Sequence, residues 1–279
     1  MKIHHQILIV GGSVLAVIVV VVAFVLIKPA QNPGGSAKPG SASAASSTGT
    51  ALPASVLTDI ATVPQATLNA VGAGTTYSGS VISVPGPPAA TGGKPEVLYV
   101  GAEYCPYCAA ERWAMAVALS RFGTFSGLHG IHSAGGAELY PDTPTLTFYK
   151  STYTSTYLTF APVEETTVSR ATLQNPTKQQ QALFKKYDGP RYVGGEAGAI
   201  PFIDIGNKYL LVGAQYSLQA LAGNTWSQVV AALHDTSSAI ARGADGAANI
   251  LTAAICKLTS SQPANVCGSP AIRGLQGHL

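Results

Sequence analysis

Charge is scarce in this chain. Asp, Glu, Lys and Arg make up only 10% of its 279 residues, and the net charge is +3. No basic run offers a nucleic-acid footprint, no acidic tail is present, and no Gly-rich loop is built to cradle phosphate. Nucleic acid is therefore not expected as a partner, and no phosphate-binding loop is visible. Internal repeats are missing too. Cysteine is sparse: the chain has four, and they fall into two close pairs, Cys105 with Cys108 and Cys256 with Cys267. Ser, Thr and Gly are abundant instead, which implies a neutral polar surface.

Residues 7–27 are uncharged and overwhelmingly apolar, about 31 Å of helix at roughly 1.5 Å per residue, the thickness of a bilayer's hydrocarbon core. A cleaved signal peptide has a shorter apolar core and a small-x-small site, whereas this run ends Val25-Leu26-Ile27-Lys28-Pro29. The expectation is a retained transmembrane signal anchor behind a tail of residues 1–6. Lys2 precedes the run and Lys28 and Lys38 follow it, so basic residues barely decide orientation. The cysteines decide better: all four lie after the run, and paired cysteines belong in an oxidising compartment. The tail is therefore expected in the cytoplasm and the body outside, at the cell membrane. Residues 28–55, rich in Pro, Gly, Ser and Ala, read as a flexible linker reaching on the order of 30 Å. Residues 56–279 suffice for one large domain.

Within that domain, Cys105-Pro106-Tyr107-Cys108 follows the apolar run Val97-Leu98-Tyr99-Val100 and precedes a helical pattern over 109–122. A dithiol at a strand-to-helix turn meets the unpaired amides of the first helical turn, so a thiolate on Cys105 is favoured and Cys105 is the attacking sulfur. Cys108, one turn on, resolves the mixed disulfide. Pro106 loses only an N–H that has no helical partner there. The competing readings are a structural disulfide or half of a zinc site. The short spacing makes a poor staple, and Cys256 and Cys267, separated by a stretch containing Pro263, do not form the usual second zinc knuckle. No cofactor and no metal are implied.

Far downstream, Ile200-Pro201-Phe202-Ile203-Asp204-Ile205 opens a strand with a proline and turns at Gly206-Asn207 into Tyr209-Leu210-Leu211-Val212. Pro201 alone reads as an ordinary strand-start proline. With the dithiol upstream, the chain over roughly 95–235 resembles the thioredoxin superfamily, which keeps a cis-proline facing its active site at the head of such a hairpin. The segment from Gly101 to Trp113 resembles, more closely, an uncharacterised family of membrane-anchored thioredoxin-like proteins labelled only as a domain of unknown function. The resemblance implies an α/β fold, a thioredoxin-like mixed sheet flanked by helices, with a helical insertion and a C-terminal helical extension over about 245–279. It implies Cys105 and Cys108 as catalytic residues, and Pro201, Ile200 and Tyr107 as substrate-binding. The buried acid that thioredoxins place six residues before the first cysteine falls on Tyr99 here. Glu103 and Glu111 are then the nearest candidates for proton transfer, although both are expected to be mainly solvated.

Elsewhere, helices are expected over 52–65, 177–187, 225–241 and 247–258, a polar lead-in over 68–84 with strand character near 80–84, and strands over 128–133, 145–149 and 157–160. Cys256 on the last helix and Cys267 in the loop after it are expected to form a structural disulfide. A second redox pair relaying electrons is the alternative. His129 and His132 point to opposite strand faces and read as ordinary residues. Tyr104, Tyr107 and Trp113 read as rim or core aromatics before docking surface. The functional expectation is thiol–disulfide exchange with exported proteins, served by a membrane or soluble redox partner. The alternatives are a redox-inactive thioredoxin-fold scaffold of the cell envelope and a metal-delivery protein.

Overall fold

The computed structural model describes residues 49–77, 80–193 and 197–279. The tail 1–6, the candidate span 7–27 and the linker as far as residue 48 lie outside the described residues. Among those described, no helix is long and apolar enough to cross a membrane.

The fold begins earlier than residue 56. Strand β1 (Thr50–Ala51) pairs with Gly130 and His129, and Leu52 and Val56 are buried, so the end of the expected linker belongs to the domain. The helix expected over 52–65 is two helices, α1 (Ala54–Ala61) and α2 (Gln65–Val71). Pro64 disfavours helical geometry at Val63 and then caps α2. The expected polar lead-in from residue 68 is also corrected, because Leu68 lies in α2 with its side chain buried.

The elements that follow are β2 (Ile82–Ser83), β3 (Ala90–Thr91), β4 (Lys94–Gly101), α3 (Pro106–Ser120), β5 (Gly123–Ser126), β6 (His129–His132), β7 (Pro144–Thr147), β8 (Thr152–Ser155), β9 (Thr159–Glu164), α4 (Lys178–Tyr187), β10 (Phe202–Ile205) and β11 (Tyr209–Val212). The main sheet is centred on β4. Strand β9 runs parallel on one side, and β10 runs antiparallel on the other, followed by β11 and β2. The first residues of β4 pair with β3. Val97 and Tyr99 join the core that contains α3, while Leu98 and Val100 join Phe202, Leu210 and Tyr187 on the other face. This is why the apolar run of β4 has no polar alternation: both faces of the sheet are covered. Strands β1, β6 and β7 form a second, antiparallel sheet, and β5 pairs with β8. The β5–β8 pair has exposed Thr and Ser on one face and was not expected from the sequence.

Helix α3 is buried along nearly its whole length, with Tyr107 its exposed exception near the start. It lies against β7 and helix α6, introduced below, and its two charged residues, Glu111 and Arg112, are buried with the apolar ones. Helix α4 has a capping box, with Thr177 and Gln180 each satisfying the other's backbone N–H. The helix expected over 225–241 is instead α5 (Trp226–Leu233), capped by Thr225, with a break and a π turn at Ala241–Asp245 before α6 (Gly246–Leu258). The break follows from local competition: Asp235 accepts from the Ser237 N–H, and the Ser238 hydroxyl donates to the Ala232 carbonyl. Two short helices end the chain, α7 (Ala264–Cys267) and α8 (Pro270–Gln276), so α6 is not the last helix. Cys267 closes α7 rather than lying in a loop, and it is disulfide-bonded to Cys256 with 5.6 Å between Cα atoms.

Candidate redox site

Strand β4 ends at Gly101, and a tight turn brings Cys105 to the N-cap of α3, with Pro106 as the first helical residue. The Cys105 Sγ accepts the Cys108 N–H at 3.2 Å, one of the amides that helix geometry leaves unpaired. Cys105 and Cys108 are a pair of free thiols, 5% and 0% exposed. Hydrogen bonding from Cys108 holds the Cys105 thiol below its ordinary value. The Arg112 guanidinium adds to that effect, and burial opposes it without winning. Cys108 is pushed well above its ordinary value, first by burial and then by its interactions with Cys105. The two sulfurs are thus differentiated: one is disposed to ionise and the other to keep its proton.

The hairpin of β10 and β11 comes to the same place. The Ile200-Pro201 peptide is cis, and the Ile200 carbonyl faces the Cys105 Sγ at 3.9 Å. Ile200 packs on Ala102, Cys105 and Cys108. Residues far apart in sequence thus meet where β4 and β10 lie side by side, with Phe202 opposite Val100. Tyr107 is 41% exposed at the rim, edge-on to Tyr140. Tyr104 lies under the Arg170 guanidinium at 3.8 Å, and Arg170 pairs with Glu138. Trp113 is core, its indole N–H donating to the Pro144 carbonyl.

Neither Glu103 nor Glu111 is solvated, contrary to the expectation; both are fully buried. The Glu103 carboxylate accepts from the Thr147 hydroxyl at 2.8 Å. Glu111 accepts the Gln215 N–H at 3.2 Å, and burial pushes its carboxyl up to about 8. Glu111 is buried because the whole of α3 is immersed, polar positions along with apolar ones, and Glu103 because the turn between β4 and α3 is held inside, its N–H donating to the Thr166 carbonyl.

The sequence reading missed the Arg112–Glu164 pair. Arg112 donates through Nε and Nη2 to the two Glu164 carboxylate oxygens at 2.8 and 2.7 Å, and through Nη2 to the Ala102 carbonyl; both side chains are 0% exposed. The guanidinium also sits 5.9 Å from the centre of the Tyr99 ring. The Tyr99 hydroxyl has no hydrogen-bond partner among the described residues, and burial raises its pKa well above the ordinary value. Arg112 is thus the charge whose field reaches both sulfurs and favours their ionised forms. An arginine beside Glu111 in a helix otherwise rich in alanine and large apolar side chains is the one signal the sequence offered. Its partner emerges only from the parallel register of β4 and β9, which sets Glu164 beside Gly101.

His129 and His132 are separate, the first with its Nδ1 at the Gly127 carbonyl and the second against Trp226. Among the described residues no group of three or more His, Cys, Asp or Glu is placed to hold a metal. Comparison with curated proteins and with solved structures gives no match for this chain. Residues 81–257, which contain the dithiol, the buried ion pair and the cis-proline, match the family described as Domain of unknown function (DUF929), and the chain belongs to that family.

Proposed function

We propose that this chain is a membrane-tethered, extracytoplasmic thiol–disulfide oxidoreductase of thioredoxin-like fold that acts on exported proteins. The observation that carries the reading is the meeting of Cys105, at a helix N-cap with a lowered pKa, with the cis Ile200-Pro201 peptide. A strand, a dithiol helix and a cis-proline hairpin in contact are what the thioredoxin resemblance implies. The apolar stretch 7–27 and the composition of residues 28–48 support the tether, and the placement of all four cysteines after that stretch supports the orientation.

In the reducing direction the Cys105 thiolate attacks one sulfur of a substrate disulfide, forming a mixed disulfide and expelling the other substrate sulfur as a thiolate. Cys105 then carries no charge, so one cause of the high Cys108 pKa is gone while Arg112 still favours ionisation. The Cys108 thiolate attacks the Cys105 sulfur and releases the second substrate sulfur. The substrate gains two electrons and Cys105–Cys108 becomes the disulfide. The reverse sequence oxidises a dithiol, and a separate redox partner restores the starting state. Ile200 and Pro201 offer backbone to a substrate strand, and Tyr107 a docking ring. Glu103 and Glu111 are the carboxyls proposed to carry the Cys108 proton; comparing resolution rates of Glu103→Gln and Glu111→Gln separates them.

The decisive experiment is trapping. Cys108→Ser in the full-length protein accumulates mixed disulfides with exported proteins, because the resolving step is removed, and Cys105→Ser accumulates none. Absence of any trapped species would favour a redox-inactive scaffold. Protease added to spheroplasts tests the placement: it removes the domain, while protection of the domain rejects the proposed orientation.

A further inference from the structure

A cavity of about 420 Å³ lies on the face of the main sheet covered by α4, lined from β4 by Glu96 and Leu98, from β10 by Asp204, from the N-cap of α4 by Thr177 and from α4 itself by Leu183 and Lys186. Glu96 is near the start of β4 and the dithiol follows its end, so the cavity is at the other end of the strand and none of the dithiol residues lines it.

Asp204 is the unusual feature. It is 2% exposed; its Oδ1 accepts the Asn207 N–H at 2.8 Å, while its Oδ2 is buried with no hydrogen-bond partner among the described residues. A buried carboxylate oxygen without a donor is costly to maintain. Burial, with Glu96 adding repulsion, pushes the Asp204 carboxyl up to about 7. Glu96 lines the same cavity, its Oε2 accepting from the Thr91 hydroxyl at 2.6 Å. The one cation in the lining, Lys186, rests its ammonium 4.5 Å from the centre of the Tyr187 ring. Lys208, on the turn after β10, donates to the Gly86 carbonyl. Two carboxylates against one ammonium leave the lining negative, which excludes anions. Two carboxylates are also few for calcium, which takes about six to eight oxygens, and among the described residues no group of three or more His, Cys, Asp or Glu is placed to hold a metal. Leu98, Ala182 and Leu183 supply apolar wall for a few methylenes, and the volume is at the small end for ligand pockets.

We propose that this cavity binds a small aliphatic amine, whose ammonium donates to Asp204 Oδ2 and is neutralised jointly by Asp204 and Glu96 while its chain lies on Leu98 and Leu183. The site is independent of the proposed redox chemistry.

The test is calorimetric titration of the full-length protein with 1,4-diaminobutane at pH 7. One equivalent binds, and because the bound ammonium requires an ionised Asp204, protons are released and the heat changes with the ionisation enthalpy of the buffer. Asp204→Asn weakens binding about tenfold or more and removes the buffer dependence. Glu96→Gln, a change at the half-buried rim, weakens it up to about fivefold and carries the test if Asp204→Asn does not fold by circular dichroism. The uncharged analogue 1,4-butanediol and calcium chloride give no binding. The proposal is overturned by absence of diaminobutane binding, by equal binding of butanediol, by binding of calcium in its place, or by undiminished affinity in the folded variants.

Discussion

Cys105 and Cys108 are chemically identical side chains made different by where a helix begins. The first receives an amide hydrogen bond and lies in the field of Arg112, while the second is enclosed by protein. Alkylation of the reduced protein across pH is therefore expected to show one thiol titrating below about 8.5, lost in Cys105→Ser. Equal and slow labelling of both cysteines would overturn the assignment. Arg112 ties this electrostatics to stability. Arg112→Met strands the buried Glu164 carboxylate and is expected to cost about 3–5 kcal/mol in urea unfolding, whereas pairing it with Glu164→Leu recovers much of the loss. The single variant also raises the apparent pKa of Cys105, a readout that a purely structural role would leave unmoved.

At the scale of elements, the termini of helices follow local chemistry closely. Thr177 and Gln180 cap α4, and Asp188 ends it, as their order in the sequence implies. The distal cysteines join α6 to α7 across a sequence separation of 11 residues, a closure of about 3 kcal/mol in the chain-entropy account. Both sulfurs are buried, and they belong to the same core as α3. Replacing Cys256 and Cys267 together by serine is expected to lower the thermal midpoint while leaving reduction of a peptide disulfide by Cys105 and Cys108 nearly intact. Preserved stability with loss of multiple turnover would make the pair an electron relay instead.

Across the whole molecule, three buried carboxyls share one consequence. Burial pushes Glu111 from 4.5 and Asp245 from 3.8 up to about 8, and Asp204 from 3.8 to about 7. Between the unfolded and folded values the native state binds more protons than the unfolded chain. Stability is then fully present below about pH 4 and declines as pH rises toward 8, by up to about 1.4 kcal/mol per pH unit for each group. Urea midpoints measured from pH 5 to 8 are expected to fall, and Glu111→Gln is expected to flatten that fall. A midpoint that rises over the same interval would mean these carboxyls are ionised in the native protein.

The sequence by itself determined the dithiol, the strand before it, the helix after it, the proline-led hairpin and the capping of α4, because each depends on neighbours within a few residues. It also made Cys256 and Cys267 a pair. Only the tertiary structure decided what α3 buries. The helix lies inside rather than at the surface, so Glu111 and Arg112, adjacent in sequence and apparently free for solvent, became a raised carboxyl and half of an ion pair with Glu164. Burial is a property of what packs around a residue, and for Arg112 the partner comes from a strand 52 positions away. The same reason hid Asp204. Its strand was legible, but its unpartnered oxygen exists only because α4 covers that face of the sheet and encloses a cavity against it.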